Sequence, residues 1–501
     1  MGGVPLEGFR RWARSLLTGA RWPVLLSVTV VAVLFGVGAS DRRAQVPYPL
    51  ENERFGVGLA GPADEILAYD LEALGADWYV NWGAALDPPH PNGAPFVQTI
   101  RLNEGTYAPS EGIVELVQAN PGGIWQIGNE PDSVWMDNTT PQQYADAYYE
   151  LYHLIKDTDP TAQVAFGGLV QATPLRMRYL DLVWQAYQEL DEEEEMPVDV
   201  WTVHGFILRE ARTGWGAGIP PGMDDCDDCA EMGMDYQIRD HDRLDIFAEQ
   251  IVRFRQWMAD HDQREKPLWV PEYGILMWSD ILDEDGEDFS DDRVIAFMHG
   301  TFDYFLTATD EAIGYPGDGH RLVQAWAWYS LDDNIYHDGQ SIGEGYNGDL
   351  FTGPYTKTIT ALGRGYGEYV VGDLAPGSLQ FDPSAPLLAD GGPVTATASV
   401  VVSRIGGLEP VGSAGVWFWV GEVGQGEPAE RRTVGPLAAG ESVEATAVLT
   451  FAVKGSHRVT VQVDPDDGVL EVDEENNDLG GSLLVASARV YLPAVLRGAA
   501  D

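Results

Sequence analysis

Two glutamates stand at the ends of apolar, β-prone runs of the sequence. Glu130 lies in the motif Asn-Glu-Pro at 129–131, and Glu272 lies in the motif Glu-Tyr-Gly at 272–274. Two carboxyl groups about 5–5.5 Å apart can act as general acid/base and nucleophile, whereas a wider gap leaves room for water between them. The pair indicates hydrolytic chemistry if the fold brings the two strand ends together.

The elements around these motifs predict that arrangement. Eight β-prone runs alternate with amphipathic stretches, which is typical of repeated βα units. The runs are 55–60, 76–82, 96–102, 124–129, 163–169, 198–206, 268–274 and 323–330. Helices are predicted at 64–74, 111–119, 141–158, 174–190, 241–261, 291–308 and 355–370, and only the second unit lacks one. We therefore predict an α/β fold, a (β/α)8 TIM barrel over residues 46–371.

In such a barrel the active site lies at the C-terminal ends of the strands, so Glu130 and Glu272 are expected to share one mouth. Acid/base function requires Glu130 to hold a proton while Glu272 is ionised. Of two adjacent carboxyls, the one nearer apolar or aromatic groups tends to keep the proton. Trp125 and Trp135 flank Glu130 in the sequence.

The two motifs, at these strand positions, resemble those of the clan A glycoside hydrolases, such as families 5 and 39, over residues 55–370. In that clan an Asn-Glu acid/base ends strand four and a Glu nucleophile ends strand seven. The resemblance implies retaining cleavage of β-glycosidic bonds by double displacement. Glu130 would be the acid/base and Glu272 the nucleophile, and Asn129 would bind the hydroxyl next to the anomeric carbon.

The same resemblance implies further substrate contacts. His204 on strand six matches a histidine that lines the clan's cleft, and Trp328 on strand eight matches a tryptophan beneath the sugar ring. Trp326, on the same side of that strand, remains an alternative. Arg101 and Trp82, at the ends of strands three and two, are also predicted to bind substrate.

One residue departs from the clan pattern. Phe206 stands where some clan families have a tyrosine that contacts the nucleophile. The orientation of Glu272 would then depend on Tyr236, Tyr273 or Asn334, and Tyr273 is included among the predicted substrate-binding residues.

The only two cysteines, Cys226 and Cys229, form a CxxC pair within a long insertion at 207–239. No second CxxC or ordered His pair completes a zinc site, so a local disulfide is predicted. The acidic stretch 280–292 does not reproduce the EF-hand spacing and is interpreted as a solvated loop. We predict neither a metal nor a cofactor.

Residues 1–45 are predicted to be a signal peptide or a signal anchor. Four arginines precede an apolar run at 24–39, which is shorter than the ~20 residues that comfortably span a bilayer. Cleavage after Ala39 and an uncleaved membrane anchor through 23–39 both fit. Either places the rest of the chain outside the cytoplasm, secreted or anchored to the outer face of the cell membrane.

After residue 371 the pattern changes to short alternating strands without helices. We predict a linker at 372–393, a small all-β immunoglobulin-like sandwich at 394–487 and a C-terminal tail at 488–501. The motifs Val-Gln-Val-Asp-Pro at 461–465 and Glu-Val-Asp-Glu-Glu-Asn-Asn at 471–477 resemble the adhesion-type CARDB module. That resemblance implies contact with the cell surface or with another protein.

The net charge of −49 excludes sequence-independent nucleic-acid binding, which requires a cationic surface. Acids around the cleft would also disfavour polyanionic sugars, so a neutral oligo- or polysaccharide is the expected partner. Two functions remain: a retaining glycoside hydrolase, and a catalytically inactive cell-surface carbohydrate-binding or adhesion protein on the same scaffold.

Overall fold

The computed structural model describes residues 51–190, 195–223, 232–278, 281–333, 346–352, 357–388 and 392–487. Eight parallel strands begin the fold: β1 (Phe55–Gly58), β2 (Trp78–Val80), β3 (Phe96–Asn103), β4 (Ile124–Ile127), β5 (Gln163–Phe166), β6 (Trp201–Thr202), β7 (Leu268–Tyr273) and β8 (Ala325–Trp328). β1 pairs with both β2 and β8. Bridges from Ala165 to Val200 and from Leu169 to Val203 join β5 to β6. The sheet closes on itself, which confirms the predicted barrel.

The inside of the barrel is filled by an alternation of small and large side chains. Ala325 and Ala327 of β8 cluster with Trp78 of β2 and Trp269 of β7, and these two indoles lie 5.1 Å apart. Successive side chains of a strand point to opposite faces, so Trp326 and Trp328 point outward, toward the helices. Small residues on one strand therefore make room for bulky ones across the barrel.

Seven helices among the described residues surround the strands: α1 (Leu71–Leu74), α2 (Ile113–Ala119), α3 (Pro141–Thr158), α4 (Pro174–Leu190), α5 (Leu244–Asp260), α6 (Asp291–Thr307) and α7 (Ala361–Val370). The second unit contains only a short 3-10 turn, Pro91–Gly93, in agreement with the Pro- and Gly-rich sequence there. The helix predicted at 64–74 is a 3-10 turn, Ala63–Ala68, followed by α1. The helix predicted from 355 begins at Ala361, because the Thr360 hydroxyl caps it by accepting from the Gly363 N–H.

The C-terminal part is a sandwich of two antiparallel sheets, as predicted. One contains β9 (Asp373–Asp382), β10 (Val394–Ile405) and β13 (Ser442–Phe451), and the other contains β11 (Ala414–Val420), β12 (Glu430–Val434), β14 (Gly455–Val463) and β15 (Asp478–Val485). Alternate residues of β10 are buried, and they form the core between the sheets.

The prediction of a linker at 372–393 is wrong for most of its length. Residues 373–382 form β9, which pairs with β10 from Asp373 opposite Ile405 to Asp382 opposite Thr397. The linker was predicted because prolines and glycines such as Pro376, Gly377 and Pro383 are unusual inside a strand. Both Asp373 and Leu374 are nevertheless buried, so the sandwich begins directly after the barrel. β12 is likewise a strand that the sequence pattern did not predict.

The two parts are joined by backbone hydrogen bonds. The Gly407 N–H donates to the Glu368 carbonyl at 2.8 Å, and the Val472 N–H donates to the Gly372 carbonyl at 3.1 Å. The Arg404 guanidinium donates to the Val371 carbonyl. The end of α7 is therefore held by two separate loops of the sandwich.

None of the helices in the described part of the chain is long and apolar enough to cross a membrane. The predicted signal segment 1–45, including the apolar run 24–39, lies outside the described residues, as does the tail 488–501.

Candidate active site

Glu130 follows β4 in a tight turn that directs its side chain into the mouth of the barrel. Its backbone is left-handed, with φ 48°, a conformation that is unfavourable by roughly 1–2 kcal/mol for a residue other than glycine. The Glu130 N–H donates to the Gly168 carbonyl at 3.0 Å, and the Ser133 N–H donates back to the Glu130 carbonyl at 3.0 Å. These bonds fix the turn that follows the strand.

Glu272 lies on β7 at an irregularity in the sheet. The pairing of β7 with β8 shifts between Val270 and Tyr273, next to Pro271, which has no N–H to donate. The Glu272 carbonyl accepts from the Gly205 N–H at 3.0 Å, and its carboxylate is buried. The structure thus brings Glu272 to the same mouth as Glu130, as the sequence predicted.

His204 lies between the two carboxylates. Its Nδ1 is 2.9 Å from Glu130 Oε1 and 3.6 Å from Glu272 Oε2, and one ligand atom from each of the three residues lies within 4.8 Å of the others. Burial lowers the pKa of His204, but the adjacent Glu272 and Glu130 outweigh it and raise this pKa above its usual value. The imidazole is therefore poised to carry positive charge between two acids.

Burial raises the pKa of the Glu272 carboxyl to about 7; the negative charge of Glu130 adds to this rise, whereas His204 and Arg101 oppose it. Glu272 Oε2 has no hydrogen-bond partner among the described residues, while Glu130 Oε1 accepts from His204. The raised pKa of Glu272 falls on the residue that the sequence analysis assigned as the ionised nucleophile.

A cavity of about 480 Å³ opens above the glutamates. Asn129, Arg101 and Trp82, three of the predicted substrate-binding residues, line it together with both glutamates. Asn129 Oδ1 is buried without a hydrogen-bond partner among the described residues, whereas the Trp82 indole N–H faces the Glu272 carboxylate and helps to lower its pKa. Buried polar atoms are normally satisfied, so Asn129 Oδ1 is available to a ligand's hydroxyl group.

Three predicted substrate contacts lie on the other side of the strands. Trp326 stacks on Phe305 of α6 at 4.7 Å, and Trp328 donates its indole N–H to the Gly348 carbonyl at 2.7 Å. Tyr273 packs edge-on against Phe305. None of the three lines the cavity, so their assignment to substrate binding is wrong: strand parity turns them toward the helices.

Tyr329, one position after Trp328, lines the cavity instead, and its ring lies 5.3 Å from that of Trp82. Phe206 also lines the cavity, next to His204, with ring centroids 6.2 Å apart. The Phe206 ring has no hydroxyl group, so it offers the nucleophile no hydrogen bond.

Two buried acids that sequence reasoning missed hold the turn after β4. Asp137 accepts from the backbone N–H groups of Asn129 and Leu102 at 2.7 and 2.9 Å and from Arg101 Nε at 2.7 Å. Asp132 pairs with the fully buried Arg176 at 2.5 Å. Asp132 lies two residues after Glu130, and this spacing is the feature of the sequence that could have indicated a role in holding the turn.

The glutamates and His204 are also the residues that could ligate a metal. They are the one group of three or more His, Cys, Asp or Glu within ligand distance in the part of the chain that the structure describes. Cys226 and Cys229, the predicted disulfide, lie outside that part.

Comparison with known proteins gives two sets of similarities. The CARDB family model matches residues 395–480, within the C-terminal sandwich, while no curated protein matches the chain. Among solved structures, a GH128 (subgroup II) endo-β-1,3-glucanase of Pseudomonas viridiflava is 16% identical, with 63% of this chain and 96% of that chain covered and a TM-score of 0.40.

Two further structures resemble separate parts of the chain. A GH128 (subgroup III) curdlan-specific exo-β-1,3-glucanase of Blastomyces gilchristii, in complex with glucose, is 13% identical over 63% of this chain and 98% of that chain, with a TM-score of 0.40. A CARDB domain of Pyrococcus furiosus, in complex with di-metal ions, is 23% identical over 24% of this chain and 91% of that chain, with a TM-score of 0.20.

Proposed function

We propose that this protein is an O-glycosyl hydrolase that cleaves β-glycosidic bonds of an oligo- or polysaccharide with retention of configuration. The approach of the two glutamates carries the proposal, since a carboxylate oxygen of Glu130 lies within 4.8 Å of one of Glu272. Inverting enzymes separate their carboxyls by about 6.5–9.5 Å to admit a water molecule. Oxygens that approach this closely are in keeping with the separation of about 5–5.5 Å between the carboxyl groups of retaining enzymes, and this supports direct attack by one carboxylate on the sugar.

In the first step Glu272 attacks the anomeric carbon while Glu130 protonates the departing oxygen. In the second, Glu130 removes a proton from water, the water oxygen attacks the anomeric carbon, and Glu272 leaves. Asn129 has a free amide oxygen at the cavity wall and is placed to bind a sugar hydroxyl, a contact that helps most when it strengthens in the transition state.

The electrostatics of the pair support this chemistry. Two carboxylates this close cannot both ionise freely, so the pair retains one proton near neutral pH, in keeping with a Glu272 pKa of about 7. The reaction requires one protonated and one ionised carboxyl. His204 contacts both, so it is placed to hold the pair in that state as the proton passes to Glu130.

Azide rescue tests the two roles separately. We expect Glu130→Ala to retain the first step on an aryl β-glycoside, which needs little acid assistance, and azide to accelerate turnover with a β-glycosyl azide as product. Glu272→Ala should be inactive until azide replaces the nucleophile, with an α-glycosyl azide as product. Product anomers are read by NMR.

The matched control is Glu104→Ala, because Glu104 follows β3 but does not line the cavity. The wild-type protein is first assayed on a panel of aryl β-glycosides and neutral polysaccharides, to find a substrate for the variants. Undiminished turnover by Glu272→Gln would refute the assignment of the nucleophile.

Phe206 favours a second candidate, a carbohydrate-binding or adhesion protein without turnover. Its ring replaces a hydroxyl that would otherwise orient the nucleophile, and the His204 Nδ1 atom lies 3.6 Å from Glu272 Oε2, too far for a hydrogen bond. Retention of the wild-type protein on a glycan without any product release would favour this candidate. The candidate predicts the same retention for Glu272→Gln.

We also propose that the protein is exported, on the basis of the basic and apolar segment at 1–45, and that its sandwich contacts the cell surface or another protein. Immunoblots of culture medium, membrane and cytoplasm fractions, for the full chain and for a chain lacking 1–45, test the export. Equal cytoplasmic retention of both chains would contradict it.

A further inference from the structure

Three tryptophans of the described residues are exposed, and all three lie in segments that follow barrel strands at the mouth. Trp135 after β4 is 72% exposed, Trp278 after β7 is 42% exposed, and Trp215 in the long segment after β6 is 39% exposed. Neither Trp135 nor Trp215 contacts another aromatic ring in the described part of the chain. Exposed apolar surface gathered in one region marks a binding site.

The positions of these rings bracket the catalytic pair. Trp135 lines the cavity on the β4 side, whereas Tyr346 lines it on the β8 side. Trp278 stacks on Tyr346 with centroids 5.6 Å apart and planes at 28°, and a β-bridge joins the two residues. In a ring of eight strands β4 and β8 are opposite one another, so aromatic faces flank the glutamates on both sides.

The chemistry of this mouth selects a neutral ligand. Arg101 is the one basic side chain among the described residues that line the cavity, and its Nε donates to Asp137. Because that guanidinium is already paired with an acid, the described wall of the cavity offers a polyanionic chain no unpaired basic side chain. Flat indole faces suit the C–H faces of pyranose rings, which are apolar and carry no charge.

We propose that Trp135 and the Trp278–Tyr346 pair are platforms for an extended neutral β-glycan that crosses the mouth on both sides of the scissile bond. The inference rests on the proposed glycoside hydrolase function and adds to it the side chains that bind an extended chain and the mode of cleavage. Because an aromatic platform extends past the glutamates on each side, the glycan chain continues in both directions from the scissile bond, and cleavage is internal. Trp215, next to the cavity-lining Gly216 and Ala217, extends the platform along β6.

The test compares substrates of different length. Trp135→Ala and Trp278→Ala are assayed on the best polysaccharide of the panel, such as laminarin, mixed-linkage β-glucan or mannan, and on a nitrophenyl β-glycoside. We expect kcat/KM on the polysaccharide to fall about tenfold, several times more than on the aryl glycoside. Viscosity should fall before reducing ends accumulate. The control Trp417→Ala removes a tryptophan of the sandwich and should change neither value.

Affinity electrophoresis of Glu272→Gln in gels cast with each polysaccharide tests the platforms without turnover. Retention that is lost when Trp135→Ala or Trp278→Ala is added supports them, even if wild-type turnover is absent and the hydrolase proposal fails. An equal loss of activity on polysaccharide and aryl glycoside, exclusive release of mono- or disaccharide from chain ends, or no retention on any polysaccharide would overturn the inference.

Discussion

At the scale of single residues, His204 decides how charge is distributed in the catalytic pair. It is fully buried, and its Nδ1 contacts both Glu130 and Glu272. The positive charge of His204 lowers the Glu272 pKa, while burial and Glu130 raise it. The ionisation of the nucleophile therefore depends on three groups in contact, so substitutions of these groups and changes of pH should alter it.

The pH dependence of activity should reflect this balance. We expect kcat/KM on an aryl β-glycoside to fall below about pH 7, where Glu272 becomes protonated. The substitution His204→Asn removes the cation, so the pKa of Glu272 rises. The acid limb of the pH profile should then move to higher pH by about one pH unit. Phe206→Leu, which changes no charge, should leave the limb in place. A limb near the ordinary glutamate pKa in the wild type would contradict the prediction.

The same carboxyl links pH to stability. Its pKa of about 7 in the folded protein lies above the usual glutamate value of 4.5, so the stability that the protonated carboxyl contributes is fully present below pH 4.5 and is lost as pH rises through 7. Glu272→Gln removes that ionisation, and at pH 8 we expect it to be more stable than the wild type by up to about 3 kcal/mol. The difference should vanish near pH 4. Urea unfolding at the two pH values measures it, and parallel curves would contradict the prediction.

At the scale of elements, Arg176 of α4 connects the turn after β4 with the segment after β6. It pairs with Asp132 at 2.5 Å and with Glu210 at 2.9 Å, and it donates to the Ala217 and Gly218 carbonyls. All three charged side chains are buried. This network ties the loop that carries Glu130 to one wall of the cavity.

Removal of this arginine should affect both stability and catalysis. Arg176→Leu leaves two buried carboxylates without their cation, and we expect a loss of about 3–5 kcal/mol in the free energy of unfolding. kcat should fall as the turn at Glu130 loosens. Arg243→Leu removes a solvent-exposed pair with Asp245 and should leave stability almost unchanged, because water and salt screen the attraction between exposed charges. Equal effects of the two substitutions would refute the role of the network.

At the scale of the whole molecule, the barrel and the sandwich meet at α7. Gly406 has φ +61°, and a Cβ atom there would lie 1.8 Å from the Glu368 carbonyl oxygen. Only glycine fits this approach between the loop that follows β10 and the last helix of the barrel. The absence of a linker between α7 and β9 shortens the connection further.

This contact predicts that the two parts unfold together. Gly406→Ala should destabilise the protein by about 2 kcal/mol or more, through the clash and the left-handed backbone, and split a single calorimetric transition into two. Gly412→Ala meets no atom within 4 Å and should be near neutral. A single unshifted transition in Gly406→Ala would contradict the coupling.

The sequence by itself determined the barrel, the sandwich and the two strand-end glutamates. These depend on local periodicity and on the rule that the carboxyl ends of parallel strands share one mouth. The sequence did not determine which faces of β7 and β8 meet the cavity, because strands buried on both faces have no apolar–polar alternation to reveal it.

Only the tertiary structure decided that Trp326, Trp328 and Tyr273 face the helices. Ala325 and Ala327 pack beside Trp78 and Trp269 inside the barrel, and this packing places the alternate residues of β8, Trp326 and Trp328, on the helix side. The tertiary structure also determines the raised pKa of Glu272 and brings Asp132, Arg176 and Glu210 into one network. These depend on burial and on contacts between residues far apart in the chain, which no local pattern encodes.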